Sequence, residues 1–277
     1  MDSIETPGDP LHTYGSGDVP SKARRNGPIV VRDSGPWSPT VLALLRHLEQ
    51  NGFTGAPRVV GSGFDDSGRE VLTFLPGDSP HPRAWTDDAA HRVGVVLRRA
   101  HDAARGFLAP FEPRWQPWFG RELPGENPVI GHCDVGPWNW VAGSDGLPYG
   151  LIDWEFAGPT DALWELAAAT WLNAQLHDDD IAERQALPDL SARARQARLV
   201  LDGYGLSRTD RAGMVERMIE FAVHAARAEA TTYRVCAVNP SGDDAGGYPV
   251  LWAVTWRTRS ASFMLGHRRL LETIVES

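Results

Sequence analysis

Apolar and polar positions follow two different rhythms along this chain, and the changeover falls just before residue 80. The run GPIVVR, residues 27 to 32, is short and β-branched and predicts a strand. In SPTVLALLRHLEQNG, Val41, Leu44, Leu45 and Leu48 share one face at helical spacing. Ser38 is the expected cap of that helix, Pro39 sits in its first turn and Gly52 supplies the stop. PRVVGSGFDDSGREVLTFLPGD predicts a hairpin turning at Asp66-Ser67-Gly68, and Gly61-Ser62-Gly63 reads as a further turn. After PGDSPHP the period becomes helical: Ala90, Val93, Val96, Leu97 and Ala100 line one face. Further helices are predicted over 161–176, 191–203, 209–235 and 250–275, with Thr209 capping the helix that it opens. Residues 1–20, rich in Gly, Pro, Ser and Asp, predict a loose tail. The fold class is therefore α+β and bilobal. Residues 21–78 form a small β-rich N-lobe with one helix, and residues 79–277 a larger, mainly helical C-lobe.

Within the helical part lies a polar break, HCDVGPWNW, residues 132 to 140. Asn139 leads into a strand-like WVA, GSDG turns the chain, and LPYGLI returns to end on Asp153. A hairpin of that length brings Asp153 back beside Asn139, with Asp134 at the other end of the loop. An amide and a carboxylate that converge suit a hard cation that keeps several waters, which means Mg²⁺. A separate carboxylate can accept a proton from a hydroxyl, so the set has the layout of phosphoryl transfer. Taken singly, Asp134 and Asn139 would read as an Asx turn with a cap; it is the joint spacing with His132 and Asp153 that points to chemistry.

The 277 residues, 42% of them hydrophobic and 11 of them tryptophan, suffice for one large domain or two modest ones. No apolar run approaches the roughly 18 residues of a membrane span, and the N-terminus has no apolar core of a secretory signal. Two cysteines make no disulfide framework, so a cytoplasmic location is expected. Cys133 reads as a small buried filler. A net charge of −9 argues against nucleic acid as a partner and is compatible with a cationic small molecule. No membrane partner is expected, and the oligomeric state is open.

HCDVGPWNW followed by LIDWEFAG resembles the aminoglycoside phosphotransferase / choline kinase-like family, whose members share a protein-kinase-like fold. VVRDSGPWSPTVLALLRHLEQNGF, APRVVGSG, REVLTFLPGD, LRRAHDA and WELAAATW resemble further family segments in the same order, so the likeness spans most of residues 27–275. The resemblance implies a kinase of small molecules that uses ATP and Mg²⁺ on a hydroxylated acceptor. It makes Asp134 the catalytic base and Asn139 and Asp153 the metal ligands, with His132 supporting the loop. Arg32 would touch the nucleotide phosphates, and the linker from Phe74 through Leu75 to Gly77 would lie beside the adenine.

The pattern departs from the family in three places. The only glycine-rich candidate for a phosphate loop is GSGD at 15–18. The helix position where the family has a glutamate falls near Val41, while Glu49 reads as a surface charge. Cys133 stands where the family has glycine. His101 reads as a buried packing residue, HDDD at 177–180 as a solvated loop or, as the alternative, a segment that meets a cationic substrate, and Glu155 as facing either the acceptor or a second ion. Of Trp115, Trp118, Trp138 and Trp140, some should pack the loop and one or two should wall the acceptor site. Two other functions compete: a catalytically weak or inactive pseudokinase-like binder, and a metal-dependent hydrolase built on His132, Asp134 and Asp153. The second is disfavoured because hydrolytic zinc wants more histidines.

Overall fold

The computed structural model describes residues 23–277, so the expected tail and the glycines at 15–18 lie outside the described residues. β1 (Arg24–Asn26) and β2 (Ile29–Arg32) form a tight hairpin. Helix α1 (Ser38–Gln50) follows, and then the hairpin of β3 (Val59–Phe64) and β4 (Glu70–Thr73). The four strands make one antiparallel sheet in the order β1-β2-β4-β3, whose register sets Arg32 opposite Glu70. The apolar face of α1 is buried through Val41, Leu44, Leu45 and Leu48, as the spacing predicts. Its start differs from expectation. Trp37 is the cap residue and no side chain caps the helix, because the Ser38 hydroxyl instead accepts from the Gly35 amide at 2.8 Å. Gly61-Ser62-Gly63 is not a turn but an irregular stretch inside β3, where the pairing with β4 shifts register. Gly63 has φ +98°, and a Cβ there would stand 2.7 Å from a Leu42 methyl, so glycine lets the bulged strand lie close under α1.

From Phe74 the chain crosses to the helical part. Asp78 and Ala142 exchange backbone hydrogen bonds of 3.2 and 2.9 Å, which ties the linker to a hairpin of the larger lobe. α2 (Asp87–Ala104) is capped by the Thr86 hydroxyl, which accepts from the Ala89 amide. Four short strands come next: β5 (Pro128–Gly131), β6 (Trp140–Ala142), β7 (Pro148–Leu151) and β8 (Gly158–Asp161). They pair antiparallel as β5 with β8 and β6 with β7.

Helices α3 (Ala162–Asn173), α4 (Asp179–Arg184), α5 (Leu190–Tyr204), α6 (Met214–Thr232), α7 (Val250–Gly266) and α8 (Arg268–Val275) complete the chain. Two glycines let α2 and α5 approach closely: a Cβ at Gly94 would be 2.0 Å from the Val200 carbonyl, and one at Gly203 1.9 Å from that of His91.

Three details correct the sequence reading. Thr209 opens a separate 3₁₀ turn, and α6 starts later, behind Gly213 in the left-handed region. The 250–275 stretch breaks at His267 into α7 and α8. HDDD is no solvated loop: His177 is buried, Asp178 caps α4 and pairs with Arg259, and Asp179 and Asp180 form the first turn. One contiguous apolar core runs from the leucines of α1 through α2 to α3 and α6.

Candidate active site

The polar break begins where β5 ends. His132 is buried, its Nε2 lies 2.8 Å from the Ile152 carbonyl, and its Nδ1 accepts from the Asp134 amide at 3.2 Å. A ring nitrogen facing a carbonyl must donate and one facing an amide must accept, so His132 is the neutral Nε2–H tautomer. Burial, which lowers its pKa, favours the same form. His132 therefore links the loop to the segment after β7, and the Trp154 ring packs edge-on at 4.7 Å.

Cys133 sits at φ +69°, which gives a physical reason for glycine at this position in the resembled family. Its amide donates to Glu165 Oε1 at 2.6 Å, and Glu165 Oε2 meets His101 Nε2 at 2.6 Å. His101 Nδ1 in turn reaches the Tyr204 hydroxyl at 2.8 Å. Burial alone would raise the Glu165 pKa; the bonds from His101 and the Cys133 amide outweigh it and hold the carboxyl below its ordinary value. His101 is thus the buried packing residue anticipated. Its partner Glu165 escapes sequence reading, because within an apolar helix nothing marks a lone glutamate as turned inward. Burial pushes the Cys133 thiol up, which keeps it protonated and suits a filler.

Asp134 and Asn139 are held together across the loop. Asn139 Nδ2 donates to the Asp134 carbonyl at 2.9 Å and to its carboxylate at 2.8 Å. Asn139 closes a 3₁₀ turn, Pro137–Asn139, and its own carbonyl accepts from the Ile152 amide at 2.9 Å. The β6–β7 hairpin therefore returns to Asn139 as expected, and Asp153 follows directly in the left-handed region at φ +63°. A non-glycine residue there is strained and is commonest where a site re-aims a side chain.

Asp153 Oδ1 meets Arg32 Nη1 at 2.5 Å, and Arg32 Nε meets Glu70 Oε2 at 2.6 Å. Arg32 and Glu70 are 6% and 1% exposed, so the guanidinium is clamped between two carboxylates away from water. Burial alone would lower the Arg32 pKa, but Asp153 and Glu70 more than compensate and raise it. The carboxylate that pairs with Arg32 thus comes from β4, while on α1 Val41 is buried in the core and Glu49 pairs at the surface with Arg58. No local pattern reveals Glu70, since it meets Arg32 only through strand order. Arg32 Nη2 is buried and has no hydrogen-bond partner among the described residues.

Phe74 and Leu75 lie in the linker after β4; the Phe74 amide donates to the Pro28 carbonyl, and the Arg25 guanidinium stacks 3.7 Å over its ring. Glu155 adds to the negative field on Arg32. Trp140 packs the loop, its indole N–H donating to the Val135 carbonyl at 3.1 Å. Trp118 and Trp138 wall a cavity of about 70 Å³ that Asp134 also lines. Among the described residues no group of three or more His, Cys, Asp or Glu is placed to hold a metal ion.

The model of the phosphotransferase enzyme family matches residues 107–205, the stretch that holds His132, Asp134, Asn139 and Asp153. The trifolitoxin immunity protein of Rhizobium leguminosarum bv. trifolii is 56% identical over 248 residues, which cover 90% of this chain and 92% of that protein. Among solved structures, a choline/ethanolamine kinase family protein from Mesorhizobium loti superposes with a TM-score of 0.56 at 16% identity, covering 92% of this chain and 89% of the other. An amicoumacin kinase in complex with AMP-PNP and Ca²⁺ gives 0.59 at 11% identity over 87% and 84%. These two similarities are of fold. No helix among the described residues is long and apolar enough to cross a membrane. The chain belongs to the phosphotransferase enzyme family, as a small-molecule phosphotransferase with a protein-kinase-like fold.

Proposed function

We propose that the protein moves the γ-phosphoryl group of ATP to a hydroxyl of a small molecule, with Mg²⁺ on the phosphates. The observation that carries this reading is the buried Nη2 of Arg32, which has no partner among the described residues although the other two nitrogens are engaged. A buried guanidinium N–H without an acceptor is costly, and a phosphate oxygen is the acceptor it fits best. In this reading Arg32 holds the nucleotide phosphates, Glu70 keeps it in place, and Phe74 and Leu75 lie beside the adenine. In the same reading the cleft lies between the lobe described from residue 23 to 78 and the lobe of residues 79–277.

Asn139 and Asp153 are the residues that would hold Mg²⁺, which supplies neutralisation of the charge that develops on the phosphates. With its Nδ2 spent on Asp134, Asn139 has its amide oxygen to offer a cation. Asp134 takes the proton of the acceptor hydroxyl; that oxygen bonds to the γ-phosphorus, the bridging P–O bond breaks, and ADP leaves. His132 touches no reactant and fixes the loop that carries Asp134. The immunity named for the 56% identical relative is compatible with inactivation of a toxic small molecule by phosphorylation. Use of ATP and the two unpaired cysteines both suit the cytoplasm.

The test is single-turnover transfer from labelled ATP by wild type and Asp134→Ala. Loss of a general base removes about 10² to 10⁴ in rate, while MgATP affinity should change only a few-fold because Asn139, Asp153 and Arg32 remain. Equal rates would remove Asp134 from the mechanism. An inactive wild type that still binds MgATP would favour the pseudokinase-like binder.

A further inference from the structure

Arg121 stands apart from the site along the chain, yet its side chain grips the turn that follows Asp153. It belongs to a 3₁₀ turn, Phe119–Glu122, in the long connection from α2 to β5. Its Nη2 donates to the carbonyls of Phe156 at 2.6 Å, Ala157 at 3.3 Å and Gln116 at 3.0 Å. Nη1 donates to the Pro159 carbonyl at 3.1 Å and lies 3.6 Å from Cys133 Sγ, and Nε donates to the Gln116 carbonyl at 3.2 Å. None of these acceptors is a carboxylate. One guanidinium therefore joins three stretches of backbone and loop: its own, the residue before Asp134, and the residues just after Asp153.

Asp153 needs such a hold. It sits in the left-handed region at φ +63° and opens a short 3₁₀ turn, Trp154–Phe156. A strained residue of this kind persists only where its surroundings over-determine it. Ahead of it, the Ile152 amide is bound by the Asn139 carbonyl and the Ile152 carbonyl by His132. Behind it, the carbonyls of Phe156 and Ala157 end the turn, where backbone acceptors lack partners inside it and a cationic side chain can supply donors. Arg121 supplies them. The fit is close, since a Cβ on Gly158 would stand 2.6 Å from Nη1. The loop of Arg121 is itself anchored: the Phe119 ring packs 5.2 Å from that of Phe221 on α6, and Trp118 and Phe119 line the cavity that Asp134 lines.

Resting on the phosphotransferase reading of Asp134, Asn139 and Asp153, we infer that Arg121 is a positioning residue of the transfer reaction. It holds the Asp153 turn against the loop of Asp134 and so keeps the metal-binding carboxylate aimed, without touching a reactant itself. Without it, the left-handed residue is pinned on one side only, and the turn relaxes toward unstrained backbone that points the carboxylate elsewhere. The loss falls on the metal-dependent part of nucleotide binding, because Arg32 is still held by Glu70 and Phe74 lies outside the turn. A planar fork meets carbonyls in several directions at once, which an ammonium does only in part.

The probe is ADP, titrated by calorimetry in EDTA and in Mn²⁺ against wild type, Arg121→Met and Arg121→Lys. The readout is the gain in ADP affinity that Mn²⁺ confers, a ratio that a general loss of stability does not move. Arg121→Met should lower that gain about tenfold, the scale of one net hydrogen bond, and leave metal-free ADP within about twofold of wild type. Arg121→Lys, which keeps the charge and some of the donors, should fall between the two. Backbone hydrogen exchange of the ligand-free proteins reads the turn directly: amides of residues 154–158 should exchange about tenfold faster in Arg121→Met, while those of α2 and α5 keep their rates. Should Arg121→Met fail to fold, Arg121→Lys carries both comparisons. An unchanged gain in Arg121→Met, an equal loss with and without Mn²⁺, a Lys variant no better than Met, or unaltered exchange in the turn would each overturn the inference. A wild type whose ADP affinity Mn²⁺ does not raise would count against the metal reading of Asp153, and the exchange comparison would then decide by itself whether Arg121 holds the turn.

Discussion

Glu70→Ala removes one of the two carboxylates that clamp Arg32. The lost contact is a 2.6 Å charge-assisted hydrogen bond between side chains that are 8% and 1% exposed. Such a bond contributes about 1.5–3 kcal/mol, and stripping one partner from a buried pair costs about 3–5 kcal/mol. Asp153 still contacts Nη1, so the lower end applies: a loss of about 3 kcal/mol in unfolding free energy. Arg32→Met should cost a comparable amount, since it leaves Glu70 charged and buried. The pair Arg32→Met with Glu70→Ala removes both charges, and its cost should fall short of the summed single losses by about 2 kcal/mol or more. Urea unfolding of the four proteins measures this coupling. Function should move as well: in Glu70→Ala the guanidinium is free to swing wholly onto Asp153, and MgATP should bind about tenfold more weakly, roughly the loss of one charge-assisted bond. A Glu70→Ala loss under about 1 kcal/mol, or single losses that add to within about 0.5 kcal/mol, would refute the clamp.

Two further outcomes follow from single residues. Burial, with Arg193 and His81 nearby, lowers the His177 pKa from 6.5 to about 3, so the folded protein resists protonating it. Its stabilising contribution is complete well above pH 6.5 and is lost as pH falls from there toward 3; between pH 7 and 5.5 the linkage amounts to about 1.3 kcal/mol. Urea midpoints should show that much less acid sensitivity in His177→Gln than in wild type, and parallel pH profiles would contradict it. At φ +69°, Cys133→Gly should leave the melting temperature within a few degrees of wild type, whereas the β-branched Cys133→Val should destabilise by about 2 kcal/mol or more. A Val variant as stable as the Gly variant would show that the loop relaxes.

Much of the fold and of the site is legible in the sequence. The helical face of α1, the β3–β4 hairpin and the α2 stripe are short-range patterns whose period alone encodes which side is buried. The loop from His132 to Asn139 and the return to Asp153 are legible for the same reason, since one tight hairpin joins them and spacing determines their proximity. Helix starts are less legible. Ser38 and Thr209 are good caps by type, yet the hydroxyl of Ser38 bonds outward to Gly35 and Thr209 belongs to a preceding 3₁₀ turn. Competing local hydrogen bonds of similar strength decide such boundaries.

The sequence by itself determined the elements, the changeover near Phe74 and the cluster of polar groups at 132–153, because each is written in residues that are neighbours along the chain. Tertiary structure alone decided what surrounds those groups. Glu70 reaches Arg32 because β4 lies beside β2, Glu165 braces the Cys133 amide from a helix 32 residues away, and Trp171 and Trp256 meet beside Asp134 from two separate helices. These contacts depend on strand order and helix packing over long loops, and a buried carboxylate carries no mark in sequence that it will face a site.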